Sequence, residues 1–192
     1  AIMLAIRHRN QTGEGQWVDV AATEAAATLN GPATLDYTVN GRALRRDGFP
    51  DANHSQFPPM APHNIYQAAG KDDWIAIACR HDADWVAIGG LVAEAWVDDG
   101  SFASLDARLA NQVDLDARMT AWTRQHDKFE TAKSLQAVGV PASAVQRPGE
   151  RIDEDANTTD WGLWPTIRHT EMGDVRVDGL GAHLSETDWS LT

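Results

Sequence analysis

The sequence predicts an α/β protein built in two bodies, and three observations carry that expectation. The first residues read as helix, turn, strand and helix, an order found in open α/β sheets. From Gly31 to Pro62 the pattern dissolves into GPATLDYTVNGRALRRDGFPDANHSQFPPMAP, rich in Gly, Pro, Asn and Asp, which reads as a connector. Beyond it two short strands, three amphipathic helices and a further strand follow in close succession, enough for a second core.

Taken in order, AIMLAIRHR begins fully apolar with no N-cap before it, so the chain enters in mid-helix. Gly13 and Gly15 in QTGEG supply the left-handed backbone that ends a helix and turns the chain. QWVDV alternates enough to predict a short strand, and the Ala-rich AATEAAATL predicts a helix. After the connector, NIYQAAG and DWIAIACR flank a Gly-Lys-Asp turn and predict an antiparallel hairpin. Asp82 is placed to cap a helix whose buried stripe is Trp85, Ile88, Val92 and Trp96. Leu115, Met119 and Trp122 form a second stripe, and Phe129, Ala132 and Leu135 a third that stops at Gly139, with Pro141 beyond. VPASAV then reads as a strand, Glu150 to Asp160 as an acidic connector, and LWPTIRH with VRVDG as a hairpin around Met172 and Gly173. Most of the eight Trp are expected to be core anchors.

A net charge of -12, with 28 acidic residues against 16 Lys and Arg, argues against a nucleic-acid partner, which needs clustered cations. No apolar run is long enough to cross a bilayer and none has the form of a signal peptide, so a cytoplasmic protein without a membrane partner is expected. The one cysteine, Cys79, excludes an internal disulfide and lies in the apolar run WIAIACR, which suits a core thiol better than a nucleophile. The densest basic patches are Arg7, His8 and Arg9, then Arg42, Arg45 and Arg46.

The chemistry-bearing residues are scattered. His8, His54, His63, His81, His126, His169 and His183 form no i, i+4 pair and no HExxH, so no metal is expected. There is no GxSxG elbow. TGEGQ follows a helix and precedes a strand, the reverse of a dinucleotide-binding turn, and lacks the Lys-Ser/Thr ending of a P-loop. Asp19, Glu24, Asp36, Asp47 and Asp51 are available acids that spacing does not distinguish.

Four separated stretches nonetheless resemble, in order, one family. RHRNQTGEGQWVDVAATEA is similar to the segment of class III CoA-transferases, the family of formyl-CoA transferase and carnitine CoA-transferase, where a helix ends at a basic pair, TG-x-GQ turns, and a V-D-V strand leads to a helix with E-A. APHNIYQAAGKDDWIAIACRHDADW resembles the family's small-domain entry; AWTRQHDKFETAKSLQAVGVPASAV carries its W-T and G-V-P-A-x-x-V; RHTEMGDVRVDGLGAHLSET resembles the return to the large domain. The resemblance implies a Rossmann-like large domain, an α+β small domain and two interlocked ring-shaped subunits. It assigns residues 1–32 to a remnant of the large domain, 33–64 to the interdomain linker, 65–146 to the small domain and 147–192 to the return linker and β segment.

In that family an Asp carboxylate attacks an acyl-CoA thioester to form an anhydride. The Asp then carries CoA as a thioester and passes it to a second carboxylic acid. The resemblance places that Asp upstream of Ala1, before the helix whose tail is AIMLAIRHR, so no catalytic residue is assigned within the chain. Loss of such a nucleophile typically costs about 10⁴ to 10⁶ in rate, about 5 to 8 kcal/mol. With SETDWSLT ending before the family's closing P-A-P-x-x-G-E-H, the expectation is a fragment without turnover of its own. No glycine lies between Phe49 and Tyr66, where formyl-CoA transferases carry a Gly-rich loop, so HSQFPPMAPHN is a different lid. CRHDADW replaces the E-P-x-F of the racemases of this fold, which favours the transferase branch. The alternatives are a non-catalytic CoA-binding or assembly module, and an acyl-CoA racemase or isomerase remnant. With the missing segment supplied by a longer chain or a partner, His54, Gln56, Met60, His63 and Asn64 are expected to line the acyl pocket as a lid and Arg7 and Arg9 to face CoA phosphates, although the macrodipole explains a basic helix C-terminus equally well. Coenzyme A and acyl-CoA enter as substrates, with a carboxylic acid as the other, no covalent cofactor is implied, and the partner is a second copy or a complementary chain.

Overall fold

The computed structural model describes residues 1–42, 53–54 and 58–187. Arg45, Arg46, Asp47, Asp51, Gln56 and Trp189 lie outside these. Helix α1 (Ile2–Thr12) ends as its glycine dictates: Gly13 takes φ 78°, and its N–H bonds the Arg9 carbonyl. QWVDV, expected as a strand, has no strand structure; among the described residues nothing pairs with it, and an isolated strand leaves its backbone groups unsatisfied. Helix α2 (Ala22–Ala27) runs through a 3₁₀ turn into helix α3 (Gly31–Asn40). The start of the expected connector is therefore helical. Asn30 precedes it, Pro32 occupies the first turn, where its missing N–H costs nothing, and Gly41 closes the end at φ 66°. None of α1, α2 or α3 contributes a buried residue.

The packed body is a three-stranded antiparallel sheet with helices on one face. Strand β1 (His63–Gln67) pairs with β2 (Trp74–Ala78), His63 opposite Ala78 and Tyr66 opposite Ile75, as the hairpin pattern predicts. Helix α4 (Asp82–Val92) follows. Its N-cap is His81 rather than Asp82: the imidazole accepts the Asp84 N–H, while Asp82 and Asp84 supply the negative charge that a helix start favours. Trp85, Ile88 and Val92 are buried as the stripe predicts, but α4 stops at Ala93, φ 51°, so Trp96 lies in the next 3₁₀ turn. Short helix α5 (Leu105–Ala110) leads into α6 (Gln112–Thr123), whose Leu115, Met119 and Trp122 are buried, and α7 (Lys128–Ala137) buries Ala132 and Leu135 while Phe129 stays 37% exposed. Gly139 turns the chain at φ 82° into β3 (Ala142–Val145), antiparallel to β2.

Two expectations about the periphery are corrected. Glu150–Asp160 is not extended connector but a π-helical turn at Glu150–Glu154 and helix α8 (Ala156–Asp160), capped by Asp155 on the Asn157 N–H. Of the tryptophans, Trp85 and Trp122 are core anchors; Trp17 is 91% exposed, Trp74 and Trp161 are also exposed, and Trp96 and Trp164 are half-buried. Trp74 alternates with buried Ile75 and Ile77 along β2 and so faces away from the core, and Trp17 and Trp161 lie outside the residues that build it. The last strands, β4 (Thr166–His169) and β5 (Gly173–Arg176), form the expected hairpin, with Gly173 at φ 79°.

Close packing fixes Gly89 on α4. A Cβ there would stand 2.7 Å from Cγ1 of buried Val97, whose branched side chain has little freedom to retreat. Gly89→Ala gains about 1 kcal/mol of helix propensity but forces an overpacking cost of about 1–3 kcal/mol, so a small net loss in the urea midpoint is expected.

Candidate functional site

The sheet has an inner and an outer face. Tyr66, Ile75 and Ile77 point inward and are buried, whereas His63, Ile65, Ala76, Ala78 and Ser143 point outward, away from the helices. The small side chains of Ala76, Ala78 and Ser143 leave a hollow of about 520 Å³ there, rimmed by Asn53, His63, Asn64 and Gln136. Its floor is apolar and its described rim groups are neutral amides, a hydroxyl and an imidazole. Such a lining solvates an acyl chain and a carbonyl, and no carboxylate among the described lining residues offers a nucleophile.

The connector residues are fixed from below. His63 Nδ1 donates to the Asn53 carbonyl, which sets the proton on that nitrogen and leaves Nε2 as the other ring position. Asn53 Nδ2 donates to Asn64 Oδ1 at 3.3 Å. His54 turns the other way: it is buried, with Nε2 2.7 Å from Asp116 Oδ2 on α6. Tyr66 donates its hydroxyl to Asp116 Oδ1 at 2.6 Å, and burial together with the adjacent carboxylate pushes the phenol well above its usual pKa, so it remains a donor.

Of the lid candidates, His63 and Asn64 line the hollow, His54 and Met60 are not among its lining residues, and Gln56 lies outside the described residues. Arg7 and Arg9 sit on α1, exposed, with the Arg9 guanidinium on its neighbour Asn10. Asn53 and Asp116 escaped the sequence reading. Asp116 and Asp114 both flank Leu115 of the apolar stripe of α6, and nothing in the sequence tells the carboxylate that is partly covered from the one that is exposed. Among the described residues, no three of His, Cys, Asp and Glu gather to hold a metal, and no helix is long and apolar enough to cross a membrane.

Cys79 is fully buried, with Sγ donating to the His81 carbonyl at 3.4 Å, and burial pushes its pKa up to about 11. Alkylation near pH 8 is expected to be negligible in the folded chain and fast in urea; rapid labelling of the native protein would contradict the core assignment.

A sheet capped by helices on one face and opened into a neutral hollow on the other has a close counterpart in known folds. The structure superposes on a CaiB/BaiF family protein from Brucella suis with a TM-score of 0.70 at 23% identity, covering 94% of this chain and 49% of that one. The sequence profile described as CoA-transferase family III matches residues 1–192, and the chain belongs to that family. Among its relatives, the succinyl-CoA:mesaconate CoA-transferase of Haloarcula marismortui is 31% identical over 159 residues, which is 80% of this chain and 36% of that protein. A probable CoA-transferase of Mycobacterium tuberculosis is 28% identical over 168 residues, 87% of this chain and 20% of the relative. The chain thus spans well under half the length of these two relatives.

Proposed function

We propose that these residues contribute the acyl-binding side of an enzyme that moves CoA between an acyl-CoA and a carboxylic acid. The observation that supports it most directly is the neutral, apolar-floored hollow framed by His63 and Asn64, two residues of the family-like stretch APHNIY. In this reading residues 1–32 pack in the large domain, 33–64 link the domains, 65–146 are the small domain and 147–192 return toward the large one. The covalent carboxylate step is assigned to no residue of the chain, so the 192 residues alone are expected to show no CoA transfer above about 10⁻⁴ of a full-length family member's rate. Turnover near that of a full-length member overturns this division of labour. Calorimetry of the chain with butyryl-CoA and with CoA tests the pocket: butyryl-CoA should bind more tightly, and His63→Ala with Asn64→Ala should shrink the difference about fivefold, the value of one hydrogen bond. Equal binding of the two ligands removes the acyl-pocket reading.

A second reading, an assembly module, is favoured by one observation. Leu4, Leu29, Leu35 and Val39, in the segment from α1 to α3, are 72%, 83%, 63% and 69% exposed, a spread of apolar surface that needs covering. A second copy or a complementary chain would supply the cover. Mass measurement in solution decides: a monomer that binds butyryl-CoA leaves the enzymatic reading, and an oligomer that binds no CoA leaves this one.

A further inference from the structure

Asp116 gathers side chains from three parts of the chain. Its Oδ2 faces His54 Nε2 at 2.7 Å and the Asn64 amide at 3.5 Å, and its Oδ1 receives the Tyr66 hydroxyl at 2.6 Å. The partners lie 62, 52 and 50 residues away in sequence, so these bonds close long loops, and only 17% of the carboxylate side chain is exposed. Four lone-pair sites on a largely buried carboxylate need donors, and among the described residues the side-chain donors come from the connector and β1.

We propose that Asp116 is the positioning residue of the hollow, a latch on α6 that holds the connector at His54 and thereby sets the rim. The chain of contacts is short. His54 is bonded to Asp116; its neighbour Asn53 takes the His63 Nδ1 proton on its carbonyl and gives its own amide to Asn64; and Asn53, His63 and Asn64 all line the hollow. Releasing His54 frees Asn53, and with it the hydrogen bonds that aim the two rim side chains. A purely structural role, fastening β1 to α6, is already filled elsewhere. Thr123, two helical turns along the same face, donates to the Gln67 carbonyl at 2.8 Å, and Arg124 holds the Gln67 amide oxygen at 2.6 Å. This inference rests on the acyl-pocket reading only for its consequence; the latch itself is a statement about the connector.

The test is amide exchange and histidine NMR on the 192-residue chain carrying Asp116→Asn. The substitution keeps size and one acceptor but turns an N–H₂ toward one of the donors. Exchange at Asn53 and His54 should rise about tenfold or more, and the His54 ring resonances should move, while Leu115, Met119 and Gln67 keep their protection within about twofold. Unchanged exchange at Asn53 and His54, or an equal loss of protection throughout, overturns the latch. Should Asp116→Asn fail to fold, His54→Phe keeps a buried ring and removes the bond to Asp116; a local rise at the Asn53 amide supports the latch and its absence overturns it. Binding separates the two ideas: a loosened connector with undiminished preference for butyryl-CoA over CoA overturns the acyl pocket and leaves the latch, whereas unchanged exchange overturns the latch whatever the binding shows.

Discussion

Arg108→Ala is expected to lower stability by about 3–5 kcal/mol, more than any other single truncation to alanine considered for this chain. The side chain is completely buried. Its guanidinium donates from Nε to the Ala61 carbonyl at 2.8 Å, from Nη1 to the Phe102 carbonyl at 3.2 Å and from Nη2 to Asp82 at 2.7 Å. It also lies 5.3 Å from the centre of the Trp85 ring, inside the cluster that Trp85, Trp96 and Phe102 form at centroid separations of 5.9–6.3 Å. Removing it empties a volume among aromatic rings and leaves two buried carbonyls without their donor, and both defects are costly. Arg108→Lys is the informative companion. A single ammonium keeps the charge but cannot reach three acceptors set in a fork, so most of the loss should persist. Denaturant midpoints of the two variants measure this, and a Lys variant as stable as the parent would refute the fork argument. Because Ala61 adjoins the start of β1, connector exchange is expected to rise in both variants.

Much of the fold was legible because its signals were local. The alternation of NIYQ and WIAIA gave the hairpin, and the Leu115–Met119–Trp122 stripe gave α6. Failures came where tertiary context decides. QWVDV has strand-like alternation but no partner strand among the described residues, and α3 was hidden because Gly31 and Pro32, usual turn residues, here stand at a helix start. Half of the candidate site was legible in the same sense. His63 and Asn64 could be placed by their stretch, whereas Asp116 acts over more than fifty residues of chain, and no periodicity carries such a relation. Arg108 was missed for the same reason: one arginine in a short helix says nothing of three acceptors from the connector, a 3₁₀ turn and the start of α4.

Lys128→Met should cost about 2–3 kcal/mol, and neutralising both of its carboxylate partners should cost more. Lys128 is 2% exposed; Nζ sits 2.9 Å from Asp73, 2.7 Å from Glu150 and 3.1 Å from the Val145 carbonyl, while Arg147 adds a second cation 3.1 Å from Asp73. The asymmetry follows from exposure. With the lysine gone, Asp73 and Glu150 keep Arg147 groups and some water, their side chains being 19% and 17% exposed. With Asp73→Asn and Glu150→Gln together, a buried ammonium has no countercharge, and adding Lys128→Met to that pair should recover part of the loss, a coupling that a mutant cycle reads directly. The pH dependence has a definite sign. Hydrogen bonds from Lys128 hold the Asp73 and Glu150 carboxyls below the usual range, so their stabilisation is complete above it and is lost as pH falls through the lowered values. Burial alone would lower the Lys128 pKa, but its bonds to Glu150 and Asp73 outweigh that and raise it, so this contribution is complete below the ordinary lysine range and is lost only as pH climbs past the raised value. The parent chain should therefore exceed Lys128→Met in stability by a constant margin between about pH 6 and pH 9, and the margin should shrink on both sides. A margin that instead widens as pH falls below about 4 would show that the cluster does not hold the charged pairing found here.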